Sequence, residues 1–145
     1  MGYPPFLRSV WARAVSCSAR REVHCSGGVL SVVVNAPYNL ELMSQWRTVC
    51  RLEEIPRQRA RVVTTPEVHI AVFRTDDDCV FAVEDRCPHR GAPLSAGVLY
   101  DDDKVACLDH GWSVRLTDGQ VVPPEQGCVR TFAVKVEEGI VYVGA

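Results

Sequence analysis

From residue 46 onward the chain alternates apolar and polar positions over short runs, each broken by a cluster of turn residues. Runs at 46–52, 60–65, 68–74, 79–83, 104–108, 113–116, 130–137 and 140–143 are rich in Val, Ile, Phe and Tyr and read as strands. Asp118-Gly119, set between Leu116 and Val121, is a short-range hairpin signal, and Glu138-Gly139 joins the last two runs. No stretch carries the three-to-four residue apolar period of an amphipathic helix. Strands this short and this closely spaced predict an antiparallel all-β domain.

Residues 1–42 have a different character. Arg8, Arg13, Arg20 and Arg21 face only Glu22 and Glu41, and no helical or strand period is sustained. The expectation is a poorly ordered extension, with a start assigned too far upstream and a domain that occupies 43–145. Two other readings compete. Arg20-Arg21 ahead of the weakly apolar 27–36 stretch suggests a twin-arginine export signal, although Glu22 and His24 stand where apolar residues belong. The arginine bias and scarcity of acids also suit an organellar transit peptide.

Composition narrows the function classes. A net charge of -2 over 145 residues argues against a nucleic-acid partner, which calls for a basic face. No apolar run reaches the length of about 18 residues that a spanning helix needs, so no membrane partner is expected. Seven cysteines cannot all pair as disulfides within the chain, and so high a number points to metal or redox chemistry.

Two fragments carry that chemistry: Cys87-Pro88-His89-Arg90-Gly91 and Cys107-Leu108-Asp109-His110-Gly111. A Cys-X-His element cannot set both side chains on one helical face, so each pair belongs on a loop. Two facing loops offer two thiols and two imidazoles. Zinc accepts Cys₂His₂, but its sites usually pair Cys with Cys and His with His in separate knuckles. A [2Fe–2S] cluster of Rieske type takes two cysteines on one iron and two histidines on the other. Loops that each hold one Cys and one His suit that division. Coincidental placement of four core residues is the remaining alternative.

On these fragments the chain resembles the Rieske [2Fe–2S] domain family, and the likeness runs on through Ala92-Pro93-Leu94-Ser95-Ala96-Gly97 and Trp112. The resemblance implies a Rieske-type antiparallel β sandwich with a small cluster-binding subdomain and one cluster per chain. It implies that Cys87 and Cys107 ligate the inner iron and that His89 and His110 ligate the outer one. Pro123-Pro124 falls where the family has a proline-bearing loop over the cluster. Cys17, Cys25, Cys50, Cys79 and Cys128 match no ligand position, and Cys50, Cys79 and Cys128 read as small apolar fillers or free thiols.

Respiratory members of the family carry an extra cysteine in each loop, and here Ala92 and Asp109 stand in those places. Trp112 and Val114 replace the serine and tyrosine that donate hydrogen bonds in the high-potential group. The chain therefore resembles the ferredoxin-like branch, with a potential in the lower half of the range.

Trp46, Val49, the 52–56 segment and the 132–136 segment are most similar to small subunits of assimilatory NAD(P)H nitrite reductases. That likeness implies a cytoplasmic electron-transfer subunit serving nitrate assimilation. Its partner would be a large catalytic subunit bearing FAD, an iron–sulfur centre and sirohaem, which reduces nitrite to ammonium. No Gly-X-Gly-X-X-Gly fingerprint is present, so the chain is not expected to be catalytic on its own. The alternative is the Rieske ferredoxin component of an aromatic-ring dioxygenase system. A non-redox binding module of the same fold is a third class.

Overall fold

The computed structural model describes residues 46–144; the extension expected over 1–42 lies outside them. The all-β expectation holds. Nine strands form: β1 (Trp46–Arg51), β2 (Arg59–Thr64), β3 (His69–Arg74), β4 (Val80–Glu84), β5 (Val98–Tyr100), β6 (Lys104–Ala106), β7 (Ser113–Arg115), β8 (Thr131–Glu137) and β9 (Ile140–Gly144). They build a six-stranded antiparallel sheet, ordered β1-β9-β8-β4-β3-β2, and a three-stranded antiparallel sheet, β5-β6-β7.

Eight of the nine strands fall on the expected runs. β5 is the ninth, a three-residue strand that pairs Val98 with Ala106 and Tyr100 with Lys104. The 104–108 run ends as a strand at Ala106, because Cys107 and Leu108 turn into a loop.

β3 and β4 explain why two cores exist. Strand side chains alternate between faces. Ile70, Val72, Val80 and Ala82 point into one core with Cys50, Ile55, Phe132, Val141 and Val143. Ala71, Phe73, Phe81 and Val83 point into the other, with Leu94, Leu99, Val105, Val114 and Leu116 from the small sheet and its flanks. The middle of the large sheet is thus buried on both faces, as its near-continuous apolar runs require. Cys87 and Cys107 belong to the second core, so the small sheet is packed at the point where the two Cys-His loops emerge.

Candidate metal centre

The first Cys-His loop leaves β4 and the second joins β6 to β7. Both close in the same way. The Cys87 N–H donates to the Ala92 carbonyl at 2.7 Å and the Gly91 N–H returns to the Cys87 carbonyl at 2.8 Å. In the second loop the Cys107 N–H donates to the Trp112 carbonyl at 2.8 Å and the Gly111 N–H to the Cys107 carbonyl at 2.9 Å. Each turn reverses at a glycine in the left-handed region, Gly91 at φ +81° and Gly111 at φ +74°, where a side chain would be strained.

These matched loops bring the expected donors together in two pairs, Cys87 with Cys107 and His89 with His110. Cys87 and Cys107 are both buried, and their thiols lie within hydrogen-bonding reach of each other. Burial pushes the Cys87 thiol above its ordinary value; the backbone N–H of His89 opposes this, Cys107 adds to it, and the Arg90 N–H opposes it again. Those two N–H donors favour a negatively charged sulfur. On the outer side the His89 and His110 rings meet edge to face with centroids 4.5 Å apart. His110 is exposed, whereas His89 is partly buried and stacks on Trp112 at 4.6 Å with planes 14° apart.

Two observations test whether these residues suit a [2Fe–2S] group. The buried Nδ1 of His89 has no hydrogen-bond partner, a costly state for a polar atom unless a ligand engages it. Among the described residues, no three His, Cys, Asp or Glu side chains converge as they would on a single ion. The donors divide instead into a thiol pair and an imidazole pair, a division that suits the two irons of a Rieske cluster. The residues fit.

Val114 is fully buried and brings no donor, and Trp112 offers His89 a ring face. Asp109 is exposed, so solvent screens its charge. The segment carrying Pro123-Pro124 comes back to the first loop at Gly127, where a Cβ would lie 3.5 Å from Pro88 Cβ.

One feature was not legible beforehand: the Asp85 carboxylate accepts from the Ser95 N–H at 2.7 Å and from its hydroxyl at 2.8 Å. This clasp joins the start of the first loop to the 3₁₀ turn Leu94–Ala96 beyond it. An Asp and a Ser ten residues apart carry no local signal.

Cys50 is a buried thiol in the other core. Cys79 and Cys128 depart from the free-thiol expectation: each is disulfide-bonded. Sequence spacing does not disclose such bonding. Among the described residues, no helix is long and apolar enough to cross a membrane.

Comparison with known proteins agrees with this geometry. The chain spans only about a fifth of the first curated relatives it matches: 20% of protein TIC 55, chloroplastic, from Arabidopsis thaliana, at 30% identity over 68% of this chain. It is 39% identical to the 3-phenylpropionate/cinnamic acid dioxygenase ferredoxin subunit of Photorhabdus laumondii subsp. laumondii, over 66% of this chain and 90% of that one. A crystal structure of a candidate NADH-dependent nitrite reductase small subunit from Mycobacterium tuberculosis superposes with a TM-score of 0.64. It is 27% identical and covers 68% of this chain and 93% of its own. The Rieske [2Fe-2S] domain model matches residues 45–133, which include both loops. The chain belongs to the Rieske [2Fe-2S] domain family, whose cofactor is a Rieske-type [2Fe–2S] cluster.

Proposed function

We propose that this chain is a one-electron carrier in which Cys87 and Cys107 hold one iron of the cluster and His89 and His110 hold the other. It would relay electrons from a flavin reductase fed by a nicotinamide cofactor to a larger oxygenase. The observation that carries the reading is the polarity of the site. Its thiols are sealed in the core while His110 reaches solvent, so electrons have a short path to a docked protein.

When bound, the cluster accepts and returns one electron. The chain's own residues do the rest. Leu94, Val105 and Val114 exclude water behind the thiols, the Asp85–Ser95 clasp holds the first loop, and Trp112 fixes the plane of His89. Val114 adds no hydrogen bond that would raise the potential.

The ring-dioxygenase ferredoxin subunit, matched across 90% of its length, favours an oxygenase as acceptor. The likeness to a nitrite reductase small subunit supports a second reading, in which the acceptor is a sirohaem-bearing large subunit. In either case the proposed setting is the cytoplasm, which supplies a nicotinamide cofactor, and 43–145 is the proposed folding unit, so truncation to Met43 is expected to preserve the cluster absorbance.

Stopped-flow mixing of the reduced protein with each class of acceptor separates the readings. Oxidation by a Rieske-dependent terminal oxygenase is expected. Preferential oxidation by the sirohaem subunit would replace the first reading with the second, and transfer to neither would overturn both. EPR redox titration is expected to place the midpoint in the lower half of the Rieske range of about -150 to +300 mV. A midpoint well above zero would contradict either role.

A further inference from the structure

Among the described residues seven arginines join no ion pair, and four of these line two recesses that begin at the first Cys-His loop. A cleft of about 480 Å³ beside this loop is lined by Arg86 and Arg90, with Glu84 as its one acid. Both arginines are exposed, and Arg86 lies across the loop, its Nε 3.2 Å from where a Gly91 Cβ would sit.

The Glu84 N–H donates to the Arg130 carbonyl at 2.8 Å, which places β8 beside the cleft. Arg130 is exposed, its guanidinium lies 4.8 Å from the centre of the Phe132 ring, and with Arg47 it lines a second recess of about 160 Å³ in which Glu67 is the one acid. Four arginines against two carboxylates make this strip net positive.

Elsewhere the balance has the opposite sign. Residues 46–144 hold 12 Lys and Arg against 16 Asp and Glu. Arg57, Arg74, Lys104, Arg115 and Lys135 are all engaged with carboxylates. Arg47, Arg86, Arg90 and Arg130 join no ion pair among the described residues; Arg51, Arg59 and Arg61 do not either, but they line neither recess. On the second loop the charge beside His110 is the acid Asp109.

We infer that this arginine strip is a docking surface for an acidic patch on the protein that exchanges electrons with the site. The inference rests on the electron-carrier reading for why a protein should visit this face. The strip spans two recesses rather than converging on one point, which suits a protein surface better than a small anion. Arginine is favoured at interfaces for its rigid fork of donors. Exposed Leu108, at 64%, supplies an apolar contact on the neighbouring loop. Charge of this kind steers encounter and sets orientation more than it adds affinity. Here it would turn an acidic partner toward the His89 side of the tip.

Calorimetric titration tests the surface without any electron flow, so its outcome is separable from failure of the carrier reading. The probes are oxidised cytochrome b5, an acidic haem protein, and oxidised cytochrome c, a basic one, each added to the oxidised, cluster-loaded chain. Cytochrome b5 is expected to bind more tightly, and to weaken as salt shortens the Debye length from about 30 Å to about 8 Å.

Arg86→Glu with Arg90→Glu is expected to lower that affinity by about tenfold or more. Arg86→Lys with Arg90→Lys, which keeps the charge, should retain most of it. Arg59→Glu with Arg61→Glu, the same charge change on β2, should leave it within about twofold. Cluster absorbance confirms that each variant is folded, and the lysine pair reports on charge even if the glutamate pair fails to fold. Tighter binding of cytochrome c, salt-independent binding of cytochrome b5, or equal losses in the β2 and loop variants would overturn the inference.

Discussion

Alanine at Gly119 and at Gly139 should have very different costs, although the two backbones are nearly identical at φ +73° and +74°. At Gly139 a Cβ meets nothing within 4 Å. The substitution there carries only the left-handed penalty of about 1–2 kcal/mol, partly offset by the stiffer unfolded chain. A net loss of about 1 kcal/mol is expected. At Gly119 the Cβ would overlap the Val129 carbonyl oxygen and lie 3.0 Å from Thr131 Cγ2. Relief by moving the backbones apart is blocked, because the Val129 N–H donates to the Gly119 carbonyl at 2.8 Å. Overpacking of about 1–3 kcal/mol therefore adds to the same backbone penalty, with that hydrogen bond also at risk. The total is about 3–5 kcal/mol.

For a domain near this size 1 kcal/mol moves the melting point by about 4–8 °C. Gly139→Ala should thus shift it by a single such step, and Gly119→Ala by about three or more. The segment beyond Gly119 returns to Pro88 through Gly127, so the Gly119 variant should also lose its visible cluster absorbance early in the melt. Denaturant titration followed by tryptophan fluorescence and by cluster absorbance measures both. Equal destabilisation at the two positions, or a Gly119→Ala loss of only about 1 kcal/mol, would refute the packing argument.

Cys87→Ser and His110→Ala should each prevent stable cluster assembly, since a hard oxygen or a methyl group replaces a ligand, while Cys50→Ala should keep it; iron and sulfide analysis decides. Asp85→Ala strands the Ser95 amide and hydroxyl and should cost about 2–4 kcal/mol in denaturant titration, with Asp85→Asn intermediate. Asp78 accepts from Arg57 at 2.7 and 3.0 Å and from Arg74 at 2.8 Å, and these guanidiniums hold its carboxyl below the usual range. Its stabilisation is therefore complete above the unfolded carboxylate value and fades as pH falls through the depressed one. Asp78→Asn should flatten the acid limb of a stability–pH curve relative to the parent.

The strands were legible because each is a local pattern, and the Asp118-Gly119 turn because its chemistry sits in two adjacent residues. β5 was not, since Val98-Leu99-Tyr100 is too short to show alternation and runs into Asp101-Asp102-Asp103. There Asp101 and Asp102 adopt positive φ and turn the chain toward β6. The four candidate ligands could be named from the sequence because spacing and side-chain chemistry mark each loop separately, and the family resemblance assigns their roles. Their environment was not. The stack of Trp112 on His89 and the clasp of Asp85 on Ser95 arise only when loops from different sheets meet. The pairing of β1 with β9, Trp46 opposite Gly144, closes the chain across nearly its whole described length, and no short window of sequence encodes such a contact.

The closeness of the two imidazoles limits how such a carrier can work. His89 has one ring face against Trp112 and meets His110 edge to face, so the pair forms one small tip. The protein that loads the electron and the protein that collects it must occupy the same ground in turn. A three-body complex has no place in that scheme: each delivery requires one partner to leave before the next arrives. An excess of either partner would then slow turnover rather than speed it, and the dissociation rates of two brief encounters would govern the flow of electrons.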